Sequence, residues 1–162
     1  MHGVEARNRG NKGTIEQRIG WECALRFAAI LLTALVTIAS PVFAQGFSCT
    51  VASIADGDTF RCTDGKKIRV HGIDAPEMDT RQGPSSQAAL VGIIGGRALV
   101  CEQNGTSYDR IVATCFLGGR DIAALMVQRA AARDCPRYSG GAYAEYEDTR
   151  HLSLPIGVFC SP

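Results

Sequence analysis

Four charged residues with complementary chemistry stand close together in the sequence. Asp58 and Asp74 offer hard carboxylate oxygens, the ligands that Ca²⁺ and Mg²⁺ prefer. Arg69 lies between them, and a guanidinium beside a divalent cation binds phosphate and stabilises a highly charged transition state. Glu77 can position or deprotonate a water molecule. The stretch therefore predicts a metal-assisted site that acts on a phosphate group.

The elements around these residues follow from alternating apolar and turn residues. Apolar alternation predicts three strands, at 47–55, 59–63 and 67–73. The D-G-D turn joins the first two strands, and Gly57 is free to take a positive φ there. Asp64-Gly65 forms the turn before the third strand. The three strands are thus predicted to form an antiparallel meander.

The meander explains how separated carboxylates meet. Asp58 begins the second strand and Asp74 ends the third, so both lie at the same end of neighbouring strands. Pro76 cannot donate to a ladder and holds Ala75 extended, so the chain leaves the sheet here. The Ala75 carbonyl and Glu77 then add oxygens to the site. Ca²⁺ tolerates such a mixture of ligands better than Mg²⁺ does, so calcium is the expected cofactor.

The remaining chain predicts two further strands and several helices. The strands are expected at 98–103 and 111–117, and the loop between them, N-G-T-S-Y-D-R, carries Arg110 towards the site. The other expected elements are a helix from an N-cap at Ser85 or Ser86 to about Arg97, a helix at 122–133 capped by Asp121, a polar helix at 142–152 and an extended tail at 155–162. This order is that of an α+β fold, a five-stranded oligonucleotide-binding-type Greek-key barrel with about three packed helices.

Net charge excludes a protein that wraps nucleic acid over a broad surface. The chain has 17 Lys and Arg against 16 Asp and Glu, and residues 45–162 carry twelve of the basic and thirteen of the acidic ones. A general nucleic-acid wrapper is much more basic. Any nucleic acid is therefore expected to bind at a local site.

Residues 1–44 are predicted to be a secretory signal peptide. Five Lys and Arg residues precede an uncharged apolar run at 27–40, and Val42-Phe43-Ala44 follows as a small-x-small cleavage site. The run is shorter than the ~20 apolar residues of a membrane span, so cleavage is favoured over an uncleaved anchor. The mature domain would be 45–162, exported to the periplasm or the medium. We expect it to be monomeric and without stable membrane association.

The cysteines agree with export. Six of the 7 cysteines follow residue 44, an even number typical of a small exported domain with disulfides. Zinc is not favoured, because the chain has no C-x-x-C and only 3 histidines. Hairpin geometry favours three bridges among the many possible pairings, Cys49–Cys62, Cys101–Cys115 and Cys135–Cys160.

Three segments resemble successive signatures of the staphylococcal nuclease-like (thermonuclease) family. They are V-A-S-I-A-D-G-D-T-F, K-I-R-V-H-G-I-D-A-P-E and S-Y-D-R-I-V-A-T-C-F, in the family's order, and the resemblance runs over about 49–138. It implies an oligonucleotide-binding-type barrel with three helices. It also implies Ca²⁺-dependent hydrolysis of phosphodiester bonds in DNA and RNA that leaves 3′-phosphate ends.

The resemblance implies a metal site and departs from the family within it. Asp58 and Asp74 match carboxylate calcium ligands, and Ala75 matches a residue that binds calcium through its backbone oxygen. The family commonly has threonine in place of Ala75, so the carbonyl is kept and a hydroxyl is lost. The loop at 78–84 is also shorter and less basic than in the type protein, which would lower affinity for substrate.

The resemblance implies further roles around the phosphate. Glu77 matches the general base, and Arg69 and Arg110 match the two arginines that bind phosphate in the transition state. Tyr108 and, by a looser alignment, Tyr138 match tyrosines that contact the nucleotide. Next to Arg110, Asp109 replaces a frequent glycine, and it is expected to draw the guanidinium away from phosphate.

Two other functions stay open on the residues alone. A barrel of this kind can bind nucleic acid or a protein partner without cutting, and the low net charge keeps that function open. Calcium-independent binding that survives Glu77→Ala would distinguish it. An exported structural domain held by disulfides explains the cysteines but not the clustered acids and arginines.

Overall fold

A closed barrel is the centre of the computed structural model, which describes residues 46–160. The predicted signal peptide lies outside the described residues. The strands are β1 (Gly46–Ile54), β2 (Thr59–Cys62), β3 (Lys67–Val70), β4 (Ile73–Asp74), β5 (Ala98–Ser107), β6 (Arg110–Leu117), β7 (Arg120–Asp121) and β8 (Arg133–Asp134). The helices are α1 (Gly83–Ile94), α2 (Ile122–Gln128), α3 (Pro136–Ser139) and 3₁₀ helices at Ala144–Tyr146, Thr149–Ser153 and Val158–Cys160.

Five strands close the barrel in the order β3-β2-β1-β5-β6. The first half of β1 pairs with β5 and its second half with β2, with an irregularity between Val51 and Ser53 that lets one strand serve both neighbours. Parallel pairing of β3 with β6, with Ile68 opposite Ile111, removes the last open edges. The predicted α+β fold with an oligonucleotide-binding-type barrel is confirmed.

The third predicted strand is interrupted. It was expected to run to residue 73, but β3 ends at Val70 and a turn at His71-Gly72 separates it from β4. Gly72 has a φ of 77°, which ends the ladder, and a Cβ there would lie 2.9 Å from the Tyr143 ring. Asp74 therefore lies in a separate two-stranded sheet with β8.

The second hairpin has longer strands and a shorter turn than predicted. The seven residues expected as a loop mostly continue β5, which pairs with β6 as far as Ser107 opposite Arg110. The register shifts at an irregularity between Gln103 and Gly105, and only Tyr108-Asp109 remain as the turn. Tyr108 takes a φ of 56° at the tip, where it is 97% exposed.

The first helix begins earlier than predicted, and neither Ser85 nor Ser86 caps it. α1 starts at Gly83, because Pro84 fits the first turn of a helix where no donor is needed. Ser86 is instead buried inside the helix and donates to the Ala131 carbonyl at 2.6 Å. The Gly95-Gly96 pair ends α1 before the predicted Arg97.

The second helix is capped as predicted but stops sooner. Asp121 accepts a hydrogen bond from the Ala123 N–H at 2.8 Å. α2 ends at Gln128 rather than at 133, because Ala130 takes a φ of 50° and residues 133–134 join β8.

The polar helix predicted at 142–152 is wrong. That segment contains two short 3₁₀ helices, separated by residues 147–148. His151 is fully buried, its Nε2 lies 2.7 Å from the Val127 carbonyl, and its Nδ1 accepts from the Asp148 N–H at 2.9 Å. A fixed imidazole, rather than an amphipathic α-helical stripe, holds this segment on α2.

The core lies between the barrel and the helices. Phe60 and Ile68 of the barrel pack into one cluster with Leu90 and Ile94 of α1 and Met126 of α2, all 1% exposed or less. The described residues include three disulfides, Cys49–Cys62, Cys101–Cys115 and Cys135–Cys160, the pairing that hairpin geometry favours. Such bonds persist in oxidising compartments and suggest an exported protein. Among residues 46–160 no helix has the length and apolar character to cross a membrane.

Candidate active site

One cavity of about 540 Å³ brings together side chains from distant parts of the chain. Arg69 comes from β3, Glu77 from the loop after β4, and Arg110 and Tyr108 from the β5–β6 hairpin. Tyr138 reaches the same cavity from α3. The predicted catalytic and substrate-binding residues therefore line one space, although their roles stay predictions.

The two predicted metal carboxylates lie beside this cavity and share Arg69. Arg69 Nη1 donates to Asp58 Oδ1 at 2.7 Å, and its Nη2 lies 3.5 Å from Asp74 Oδ1. Asp58 is 3% exposed and Asp74 is 7% exposed. The two carboxylates meet at one cationic group, but the meander accounts only for Asp58, since Asp74 is placed by the separate β4–β8 sheet.

Thr59 links the carboxylates to the second arginine and was missed by sequence reasoning. Its Oγ1 donates to Asp58 Oδ1 at 2.9 Å and lies 3.4 Å from Arg110 Nη1. The two arginines are therefore connected through one hydroxyl and one carboxylate. The available signal was position, because Thr59 follows Asp58 at the start of a strand and pairs with Arg69 on the next one.

The Asp58 carboxylate is electrostatically undercompensated. Burial raises the pKa of Asp58 to about 7, although the Arg69 guanidinium lowers it; Asp56 nearby adds to the rise. When both buried carboxylates are ionised, two negative charges face one guanidinium, so the group carries an excess of negative charge. Such a site favours an additional cation.

The available donor atoms fit a hard divalent cation that is bound by only two charged side chains. Within residues 46–160 no cluster of three or more His, Cys, Asp and Glu side chains surrounds a common point. Asp58 and Asp74 would need backbone and water oxygens to complete a shell of six to eight ligands. The Ala75 N–H donates to Asp58 Oδ2 at 3.4 Å, so the Ala75 backbone is adjacent, while a role for its carbonyl stays a prediction.

Glu77 combines a fixed backbone with an uncommitted carboxylate. Its carbonyl accepts from the Thr80 hydroxyl at 2.7 Å and the Thr80 N–H at 2.9 Å, and a Cβ on Gly83 would come within 2.1 Å of it. Among the described residues the Glu77 carboxylate has no hydrogen-bond or ion-pair partner. An exposed carboxylate that lines the cavity is suited to bind a water molecule.

Gly57 is required for packing rather than for a positive φ. The freedom of Gly57 to take a positive φ is not used, because Gly57 is not among the glycines with that conformation. A Cβ at this position would lie 1.9 Å from Ser86 Oγ and 2.7 Å from the Ala75 Cβ. The D-G-D turn therefore sits directly on α1 and on the loop after β4, which fixes Asp58 next to Ala75.

Asp109 does not hold Arg110. Its carboxylate forms an ion pair with Lys67 on β3, and the hydrogen bond from Lys67 holds the pKa of Asp109 below its usual range. The expectation that Asp109 draws Arg110 away from the site is not met, since Arg110 Nη1 reaches towards Thr59. Lys67 on β3 thus neutralises the charge of Asp109 at the hairpin tip.

The C-terminal segment at 154–160 also reaches the site, and sequence reasoning missed this. The Gly157 N–H donates to Asp74 Oδ2 at 2.7 Å, and Phe159 lines the cavity. A signal was available, because the predicted Cys135–Cys160 bridge places Phe159 near Tyr138. His71 lines the same cavity.

The chain is similar to a protein of Haemophilus influenzae named "Uncharacterized endonuclease". The two are 31% identical over 118 residues, which are 68% of this chain and 66% of that protein. This similarity supports a nuclease family and no narrower one. The chain spans 66% of the length of that relative. No family model matches this chain.

Proposed function

We propose that this protein is an exported, Ca²⁺-dependent nuclease that hydrolyses phosphodiester bonds in DNA and RNA and leaves 3′-phosphate ends. The observation that carries the proposal is the convergence of Arg69, Glu77 and Arg110 on one cavity, beside the Asp58 and Asp74 carboxylates. The similarity to a protein named as an endonuclease supports the same class of reaction.

The two arginines suit a phosphodiester. Arg69 and Arg110 approach the cavity from β3 and β6, and guanidinium groups bind phosphate oxygens through paired N–H donors. Hydrolysis adds negative charge to these oxygens as a fifth oxygen approaches phosphorus. Donors that are already in place stabilise that charge more than they stabilise the substrate.

Glu77 would act as the base for the attacking water molecule. Its carboxylate would accept a proton from the attacking water while the water oxygen bonds to phosphorus. The bond between phosphorus and the 5′-oxygen then breaks, and the 5′-oxygen takes up a proton. The products are a 3′-phosphate and a free 5′-hydroxyl.

Calcium would be held by Asp58 and Asp74 with the Ala75 carbonyl and water. When bound, it supplies a Lewis acid that neutralises charge on the phosphate oxygens. Two carboxylates give few protein charges, so we expect weak affinity. Two protein contacts orient the carboxylates without the metal. Thr59 donates to Asp58, and the Gly157 N–H donates to Asp74.

The test is a cleavage assay on oxidised protein recovered after export. Single-stranded DNA, duplex DNA and RNA are incubated with Ca²⁺, with Mg²⁺ and with chelator, and product ends are identified by mass spectrometry. We expect cleavage with Ca²⁺, none with chelator, and 3′-phosphate products. Absence of cleavage on every substrate, from protein with intact disulfides and cooperative unfolding, would refute the proposal.

A binding protein without hydrolysis is the second candidate, because Arg69 is committed to two carboxylates. A guanidinium held in this way contributes less to a transition state. Binding to oligonucleotides that is independent of calcium, without cleavage, and unchanged by Glu77→Ala would favour this function.

A further inference from the structure

The C-terminal segment 154–160 forms a wall of the cavity. Cys160 is fully buried and bonded to Cys135, which itself lines the cavity. The Gly157 N–H binds Asp74 Oδ2 at 2.7 Å, so the segment is attached at two points. Phe159 lies between these attachments, lines the cavity and remains 46% exposed.

The position of the Phe159 ring depends on Gly157. A Cβ at Gly157 would lie 2.4 and 2.7 Å from two carbons of the ring, so the ring rests directly on the glycine. Val158 between them is 93% exposed and does not line the cavity. One aromatic ring of this segment is therefore directed to the site, while its neighbour faces solvent.

We propose that Phe159 is a further substrate-binding residue, which together with Tyr138 receives a nucleobase. This inference rests on the proposed function, since it assigns the substrate group that this wall contacts. A nucleotide carries an anionic phosphate and a flat aromatic base, and the cavity offers both kinds of partner. Arg69 and Arg110 are cationic, whereas Phe159 is apolar and carries no hydrogen-bonding group.

Base stacking explains why an apolar ring is left exposed beside charged groups. Aromatic side chains stack on bases with little preference for sequence, because every base has a π face. A tolerant contact of this kind suits a nuclease that acts on both DNA and RNA. The covalent attachment at Cys160 reduces the freedom that the ring loses on binding.

The test measures binding in chelator, so that no cleavage occurs. A short fluorescent single-stranded oligonucleotide and an abasic oligonucleotide of equal length are titrated against the full-length protein by anisotropy. Phe159→Ala should weaken binding of the base-containing probe about 5- to 100-fold and leave the abasic probe unchanged. Phe159→Tyr should restore binding, and Val158→Ala is the matched control, expected to change neither probe.

A double-mutant cycle tests the geometry independently. Gly157→Ala keeps the N–H donor but displaces the ring, so it should weaken the base-containing probe as Phe159→Ala does. In the Phe159→Ala background the added methyl group meets no ring, so Gly157→Ala should then have little further effect. Additive losses would contradict the proposed contact.

The outcomes separate this inference from the proposed function. If the wild type cleaves with Ca²⁺ while Phe159→Ala binds both probes normally with an unchanged KM, Phe159 is not a base contact and the nuclease proposal stands. Equal weakening of both probes also overturns the inference, because it indicates a general effect on the segment. If the wild type binds neither probe, the base contact is refuted, whereas the nuclease proposal is decided separately by cleavage with Ca²⁺.

Discussion

The cavity has two walls that are held in place by different physical means. On the barrel wall, Arg69 and Arg110 lie on β3 and β6, which are paired to each other in parallel and to β2 and β5 on their other edges. On the tail wall, Tyr138 lies on a helix of four residues and Phe159 on a 3₁₀ helix of three. The Cys135–Cys160 bond is the covalent link between these two short elements.

The difference assigns different tasks to the two walls. Groups on paired strands keep their distances, and catalysis of a charged transition state needs fixed donors. Aromatic stacking on a base tolerates small displacements, so it can be left to a segment with little regular structure. We therefore expect changes on the barrel wall to lower kcat and changes on the tail wall to raise KM.

The largest expected effect is at Glu77, in the loop after β4. Glu77→Gln keeps the size of the side chain but removes the base, so kcat should fall about 10²- to 10⁴-fold while KM changes little. Asp79→Asn, in the same exposed loop, is the matched control and should retain activity. The measurement is steady-state hydrolysis of an oligonucleotide with Ca²⁺. A large rise in KM with unchanged kcat would place Glu77 in binding rather than in catalysis.

Removing one disulfide at a time sharpens the comparison directly. The Cys101–Cys115 bond closes a sequence separation of 14 between β5 and β6, and the Cys135–Cys160 bond closes one of 25. Chain entropy predicts that replacing either pair with serine costs about 3 kcal/mol of unfolding free energy. Only loss of the Cys135–Cys160 bond should also raise KM, because of these two disulfides only that one attaches the segment that carries Phe159.

Urea unfolding and steady-state kinetics check this pair of variants at a temperature where both are folded. A rise in KM for the Cys101–Cys115 variant of the same size would show that the walls are not independent. An unchanged KM for the Cys135–Cys160 variant would show that the Gly157 contact with Asp74 holds the segment without the bridge.

The two walls also differ in how far the sequence predicts them. Apolar alternation and the D-G and D-G-D turns were sufficient for the meander, because these are local signals, but not for the separate β4–β8 sheet that places Asp74. The tail wall depends on tertiary contacts: the buried His151 replaces a predicted helix with 3₁₀ turns, and the contact of Gly157 with Asp74 joins residues far apart in the chain. The periodicity of apolar residues does not predict such long-range contacts.

A smaller effect is expected where the turn before Asp58 meets α1. Gly57→Ala puts a Cβ against Ser86 Oγ, and Ser86 cannot move without losing its buried hydrogen bond to Ala131. Overpacking of this kind costs about 1–3 kcal/mol. Gly92→Ala is the control, since a Cβ there meets nothing within 4 Å and should stabilise α1 by about 0.5–1 kcal/mol. Equal urea midpoints for the two variants would contradict the packing argument.

The smallest expected effect is at the tip of the second hairpin, and it tests whether the barrel wall is already complete. The Lys67 and Asp109 side chains are 37% and 64% exposed, and an exposed ion pair is worth about 0–1 kcal/mol. Because Arg110 is directed to Thr59 and not to Asp109, Asp109→Asn should change kcat/KM by about fivefold or less. Lys67→Gln should give a change of similar size, and the double variant should not add to it, because both remove the same pair. If Asp109→Asn instead raises kcat by an order of magnitude while Lys67→Gln does not, Asp109 restrains Arg110 during turnover, and the barrel wall is less fixed than its strand pairing indicates.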